Sequence, residues 1–123
     1  MKIIGIGVDI IENKRIKNSI KNHRFKERIY SSKELKQSTL SKDKIGYFSK
    51  RFAAKEAFAK ALGTGMRAPV NFKSIEVIHD SLGKPKIKTI EKLSLLVKSY
   101  NIKHCHLSIS DEKNIDLARI INL

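Results

Sequence analysis

Apolar and polar positions alternate with period two at the start of the chain, where residues 3–11 read Ile-Ile-Gly-Ile-Gly-Val-Asp-Ile-Ile. This β-branched run predicts a buried strand. Side chains alternate across a strand, so Ile4, Ile6, Val8 and Ile10 share one face while Gly5, Gly7 and Asp9 share the other. Two glycines beside a carboxylate leave a patch open to close approach by a ligand or by another backbone.

The period then lengthens. Residues 13–30 form a basic helical stretch in which Ile16 and Ile20 mark the core-facing stripe. Lys14, Lys17 and Lys21 line another face, and Arg24 and Arg28 flank Phe25. Ser31 and Glu34 fit a capping box that starts a short helix. The strongest helical pattern covers residues 45–62, with Phe48, Phe52, Ala57, Phe58, Ala61 and Leu62 as apolar surface and Gly63 at its end. A loop, 63–69, leads to strands at 72–79 and 85–89 around a turn. A helix at 91–100 turns Leu93, Leu96 and Val97 inward, and a hairpin of 104–110 and 115–121 closes the chain. Hairpin strands with helices set apart predict an α+β class rather than a doubly wound α/β sheet. The length, 123 residues, suits a single domain covering 1–123.

Composition adds charge. Lys and Arg number 26 against 12 Asp and Glu, a formal net charge of +14. Such a surface attracts polyanions: nucleic acid, anionic lipid, a phosphate-rich small molecule or an acidic protein. Lys-rich, Ile-rich coding bias produces a similar excess on any fold, so charge alone selects no partner. No apolar run approaches the roughly 20 residues of a membrane helix, and no signal peptide is expected. The single Cys105 fits a reducing, cytoplasmic setting.

Candidate chemistry begins at Asp9, because an ionised carboxylate within an apolar strand is costly unless paired or metal-bound. The plainer reading makes it a strand-end cap for the following helix. Glu56 and Lys60, four apart on the long helix, read either as a surface ion pair worth roughly 0.2–0.5 kcal/mol or as a metal-binding carboxylate with a phosphate-binding ammonium one turn later. Gly63-Thr64-Gly65 permits close approach of a phosphate, yet it is neither a Walker motif nor a dinucleotide fingerprint. His104 and His106 share a strand face with Cys105 opposite, which argues against a zinc site. Cys105 has no evident activating base and no GxSxG elbow is present, so any chemistry should be direct attack by a substrate group under metal and charge stabilisation.

Four blocks, in order and spacing, resemble the holo-acyl-carrier-protein synthases, the small bacterial phosphopantetheinyl transferases. They are Gly5 to Glu12 followed by Arg15-Ile16, Arg51 to Gly65, Leu82-Gly83-Lys84-Pro85, and His106 to Glu112. The segment 31–46 matches less closely. The resemblance implies an antiparallel sheet wrapped around a long central helix. It also implies Mg²⁺ bound by Asp9 and Glu56, and catalysis by Glu56 and Lys60, with Lys60 on the phosphate under attack. Coenzyme A contacts fall on Lys60, Gly63, Gly65, Lys84, Pro85, Ser108 and Arg51. Arg15, Arg24, Phe25 and Arg28 match the surface that docks an acidic carrier protein, and Asp111 is assigned no catalytic role.

The implied reaction moves the 4′-phosphopantetheine arm of coenzyme A onto a serine of apo-acyl carrier protein, for fatty acid biosynthesis. The implied assembly is a homotrimer with sites at subunit junctions, to which glycine-faced apolar strands lend mild support. Neither nucleic acid nor membrane is then an expected partner. Two alternatives remain: a small basic nucleic-acid-binding module, and a magnesium-dependent phosphohydrolase.

Overall fold

The structure, a computed structural model, describes residues 3–111 and 115–122. Its axis is the helix α4 (Lys44–Leu62), reached after β1 (Gly5–Glu12), α1 (Asn13–Ser19), α2 (His23–Ile29) and α3 (Ser32–Ser38). After α4 come β2 (Ile75–His79), β3 (Pro85–Thr89), α5 (Lys92–Ser99), β4 (Cys105–Asp111) and β5 (Ile115–Asn122). A short 3-10 turn, Phe72–Ser74, precedes β2. The strands form two antiparallel sheets, one ordered β1-β5-β4 and the other β2-β3. Both pack on α4, as the α+β expectation requires. Among the described residues no helix is long and apolar enough to cross a membrane.

α4 is buried on most of its circumference, with Phe48, Phe52, Ala53, Ala54, Ala57, Phe58, Ala59 and Ala61 in the core. Its alanines let a strand lie directly on helix backbone. An added Cβ on Gly5 would meet the Ala61 carbonyl oxygen at 1.9 Å, and one on Gly7 would meet that of Ala57 at 2.0 Å. The open glycine patch is therefore filled by another backbone, that of α4. At the far end of the helix, Gly63 adopts the left-handed conformation (φ 80°) that ends it.

Two expectations need correction. The opening strand is buried on one face only: Ile4, Ile6, Val8 and Ile10 are 42–60% exposed. The glycine face is consumed within the chain, and the exposed face of β1 is the isoleucine face. The basic stretch 13–30 is also two helices rather than one. The break falls between α1 and α2, where the Asn22 side chain accepts hydrogen bonds from the Arg24 and Phe25 N–H groups and starts α2.

The predicted capping box is present: Ser31 Oγ accepts from Glu34 N–H, and the Glu34 carboxylate accepts from Ser31 N–H. Leu93 is buried and Leu96 and Val97 pack against the core, as their spacing predicts.

Candidate active site

Asp9 follows Gly5 and Gly7 on the face of β1 turned to α4, so the tight strand–helix contact delivers its carboxylate to the helix. There Lys60 Nζ donates to Asp9 Oδ1 at 2.8 Å and to the Val8 carbonyl at 3.2 Å. The ammonium reaches across to the strand instead of merely serving an ion pair along its own helix. Asp9 has only 15% of its side-chain surface exposed, whereas Lys60 has 53% and is free to turn elsewhere.

Glu56 is half-buried one turn before Lys60. Burial, and then the negative charge of Asp9, push its carboxyl above the ordinary glutamate range, opposed by Lys60 and Arg15. Asp9, Glu56, Lys60 and Arg15 are therefore one electrostatic group. Two mutually repelling hard-oxygen carboxylates with an adjustable ammonium fit Mg²⁺, which takes one or two carboxylates and leaves room for substrate phosphates. Among the described residues no cluster of three His, Cys, Asp or Glu side chains is arranged to hold a metal. Asp9 and Glu56 would contribute to the shell, not complete it.

Glu56 also lines an open groove of about 700 Å³ together with Arg15, Arg24, Phe25 and Arg28. All four residues expected to dock a partner thus share one concavity with a carboxylate expected to act in catalysis. Its apolar wall is an aromatic stack: Phe52 lies 6.3 Å from Phe25 and 5.3 Å from Phe72, near parallel to both. Phe52 lies in α4 and Phe72 in the 3-10 turn before β2, not in the strand that its pattern predicts. Their aromatic character was visible, but their meeting depends on a loop connection.

The remaining predicted residues lie elsewhere on the chain. Gly63 and Gly65 follow α4 directly, and added Cβ atoms at both would meet open space. Arg51 is buried, its guanidinium 3.5 Å from the centre of the Tyr47 ring and Nη2 3.4 Å from His79 Nδ1. His79 pairs in the sheet with Pro85, beside Lys84, so Arg51 and the β2–β3 hairpin form a second group. Positions 51 and 56 are about 140° apart around an α-helix, which turns Arg51 away from Glu56. Ser108 is exposed on the outer face of β4, in register with Arg119 and, beyond it, Val8. The single chain does not bring Arg51, Lys84, Pro85 or Ser108 to Asp9.

Burial pushes the Cys105 thiol up to about 12, away from the thiolate form that a nucleophile needs. The His104 and His106 rings lie 6.4 Å apart and stacked.

Comparison with known proteins identifies the family. Residues 5–118 match the model of the 4′-phosphopantetheinyl transferase superfamily. A holo-[acyl-carrier-protein] synthase of Pelagibacter ubique is 51% identical, over 98% of this chain and 97% of that one. The crystal structure of the Neisseria meningitidis holo-[acyl-carrier-protein] synthase superposes with a TM-score of 0.96 at 41% identity, covering 99% of each chain. That of Bacillus anthracis, in complex with CoA (3′,5′-ADP), gives 0.82 at 37% identity over 98% of this chain and 96% of that one. The nucleic-acid reading of the charge gains no support from these relatives. With a match across nearly its whole length, the chain belongs to the holo-[acyl-carrier-protein] synthases of the 4′-phosphopantetheinyl transferase superfamily.

Proposed function

We propose that this chain acts as one domain that transfers 4′-phosphopantetheine from coenzyme A to a serine of apo-acyl carrier protein. Adenosine 3′,5′-bisphosphate is the second product, Mg²⁺ the cofactor, and fatty acid biosynthesis in the cytoplasm the setting. The observation that carries this reading is the convergence of Asp9, Glu56 and Lys60 beside a groove lined by Arg15, Arg24, Phe25 and Arg28. The names of the relatives supply the reaction, and the coenzyme A bound to the Bacillus anthracis relative supplies the donor.

Asp9 and Glu56 would hold the metal ion, which when bound would neutralise charge on the phosphates of the donor. The groove arginines draw in the acidic carrier protein and orient its serine toward Glu56. As the serine oxygen bonds to the β-phosphorus, a Glu56 carboxylate oxygen accepts the hydroxyl proton. The bond from that phosphorus to the bridging oxygen breaks, and the electron pair leaves on adenosine bisphosphate. Lys60 turns from Asp9 to the phosphate oxygens, where its charge stabilises the transition state.

The separation of the two residue groups supports sites shared between copies, and the assembly we propose is a trimer. Arg51, Lys84, Pro85 and Ser108 of one copy would face Asp9, Glu56 and Lys60 of the next, enclosing coenzyme A between them. The exposed Ile4, Ile6, Val8 and Ile10 face supplies an apolar surface for such an assembly.

Chromatographic detection of adenosine 3′,5′-bisphosphate, with and without apo-carrier protein, tests the reaction. Release that requires the carrier protein is expected; equal release without it would mean a phosphohydrolase.

A further inference from the structure

Lys55 precedes Glu56 in the chain yet is fully buried, at 0% exposure. A buried ammonium is tolerated only when paired and hydrogen-bonded, and here all three donors are engaged. Nζ donates to Glu34 Oε1 at 2.7 Å, to the Phe72 carbonyl at 2.9 Å and to the Ile75 carbonyl. Glu34 is itself fixed, since Oε1 also accepts from Ser31 N–H at 2.9 Å and Oε2 from Val77 N–H at 3.0 Å.

Stability alone does not account for this arrangement. A well-packed apolar pair of similar volume is often as stable as a buried ion pair, or more so. An apolar side chain, however, has no donor for the two main-chain carbonyls. Those carbonyls belong to Phe72, which starts the 3-10 turn, and Ile75, which follows it. The turn presents the Phe72 ring that stacks on Phe52, and both rings line the groove shared with Glu56.

We infer that Lys55 is a positioning residue for the transferase: by binding the carbonyls at both ends of the Phe72–Ser74 turn, it holds the aromatic wall of the groove in place. This rests on the proposed reaction. Lys55 touches no reacting atom and acts through Phe72.

The test compares Lys55→Met, Phe72→Ala and the double variant, with wild type alongside, at saturating coenzyme A. Each single change should lower kcat/KM for carrier protein by about tenfold or more, as small displacements of a bound substrate do. KM for coenzyme A should stay within about twofold. The double variant should be no worse than the poorer single one, because both changes remove the same wall. Multiplicative losses in the double variant would overturn the inference. So would Phe72→Ala with wild-type kcat/KM, a result that does not depend on Lys55→Met folding.

Glu34→Gln/Lys55→Met, which leaves no unpaired buried carboxylate, should recover part of the denaturation midpoint lost in Lys55→Met without recovering kcat/KM. Recovery of both would make Lys55 purely structural and sink the inference. Hydrogen exchange read on this variant needs no turnover: amides of residues 72–77 should lose protection, and unchanged protection would contradict the role. Absence of transfer by wild type is a different failure, that of the proposed reaction.

Discussion

Gly7→Ala probes the contact on which the site is built. The added methyl would lie 2.0 Å from the Ala57 carbonyl oxygen and 2.7 Å from the Ala61 nitrogen, against an ordinary contact of 3.4–4 Å. Both neighbours are helix backbone and cannot rotate aside, so β1 must lift from α4 by roughly 1 Å or more. Overpacking of this kind costs about 1–3 kcal/mol, and an obstruction made of backbone belongs at the upper end. With a urea dependence of about 1–3 kcal/mol per molar, the unfolding midpoint should fall by about 1 M or more.

Asp9 is two residues further on the same face, and lifting the strand draws its carboxylate from Lys60 and Glu56. A displacement near 1 Å is enough to cost about 10²-fold in rate. The assay pairs urea denaturation, at one fixed protein concentration because assembly contributes to apparent stability, with turnover of apo-carrier protein. A variant with native midpoint and native turnover would refute the close-approach argument.

Other expectations follow from the same geometry. Lys60→Ala should lower kcat by about 10²-fold, the scale of losing a transition-state donor, with little change in KM for coenzyme A. Steady-state kinetics reads this split, and a raised KM at constant kcat would mean ground-state binding only. Arg28→Glu should raise KM for carrier protein and flatten its salt dependence while sparing coenzyme A, whereas equal losses toward both substrates would contradict a docking role.

In metal-free protein the raised Glu56 pKa means the folded state binds more protons than the unfolded chain, from the ordinary glutamate range up to that raised value. The Glu56 contribution to stability should therefore be fully present below this window and be lost as pH rises through it. Glu56→Gln should remove that decline in chelator-treated denaturation series while lowering turnover; a decline that persists would assign it to another group. Ile6→Asp places a charge on the exposed strand face without touching the chain's own core. Light scattering should report smaller particles than wild type, and an unchanged mass would exclude this face from assembly.

Much of the fold was legible because it depends on local pattern. α4 announced itself by alanine content and Gly63, the closing hairpin by alternation, and α3 by its Ser31–Glu34 box. The break between α1 and α2 was missed because Ile16, Ile20 and the basic residues keep helical spacing across it. The deciding signal was Asn22, a side chain that caps. Burial of the β1 faces was misjudged for another reason: alternation assigns residues to faces but does not say which face has a neighbour. Gly5 and Gly7 held that information, since helix backbone approaches where side chains are absent.

At the site, Asp9, Glu56 and Lys60 each had an ordinary reading in isolation, and only their meeting across the β1–α4 contact joins them. The Lys55–Glu34 pair was hidden by distance along the chain. Even so, Lys55 falls on the same stripe as Phe48, Phe52 and Ala59, where a charge calls for a buried partner. Residue spacing along one chain likewise says nothing of whether Arg51 and Ser108, turned away from Asp9, act with it on a common ligand.

The most direct test of the central claim is intact-mass spectrometry of apo-carrier protein incubated with coenzyme A and this chain, with Mg²⁺ and with chelator. The Asp9–Glu56 site predicts a mass increase of one phosphopantetheine on one serine, present with Mg²⁺ and absent with chelator. An increase that survives complete metal removal would contradict the metal site, and no increase under either condition would contradict the transferase itself.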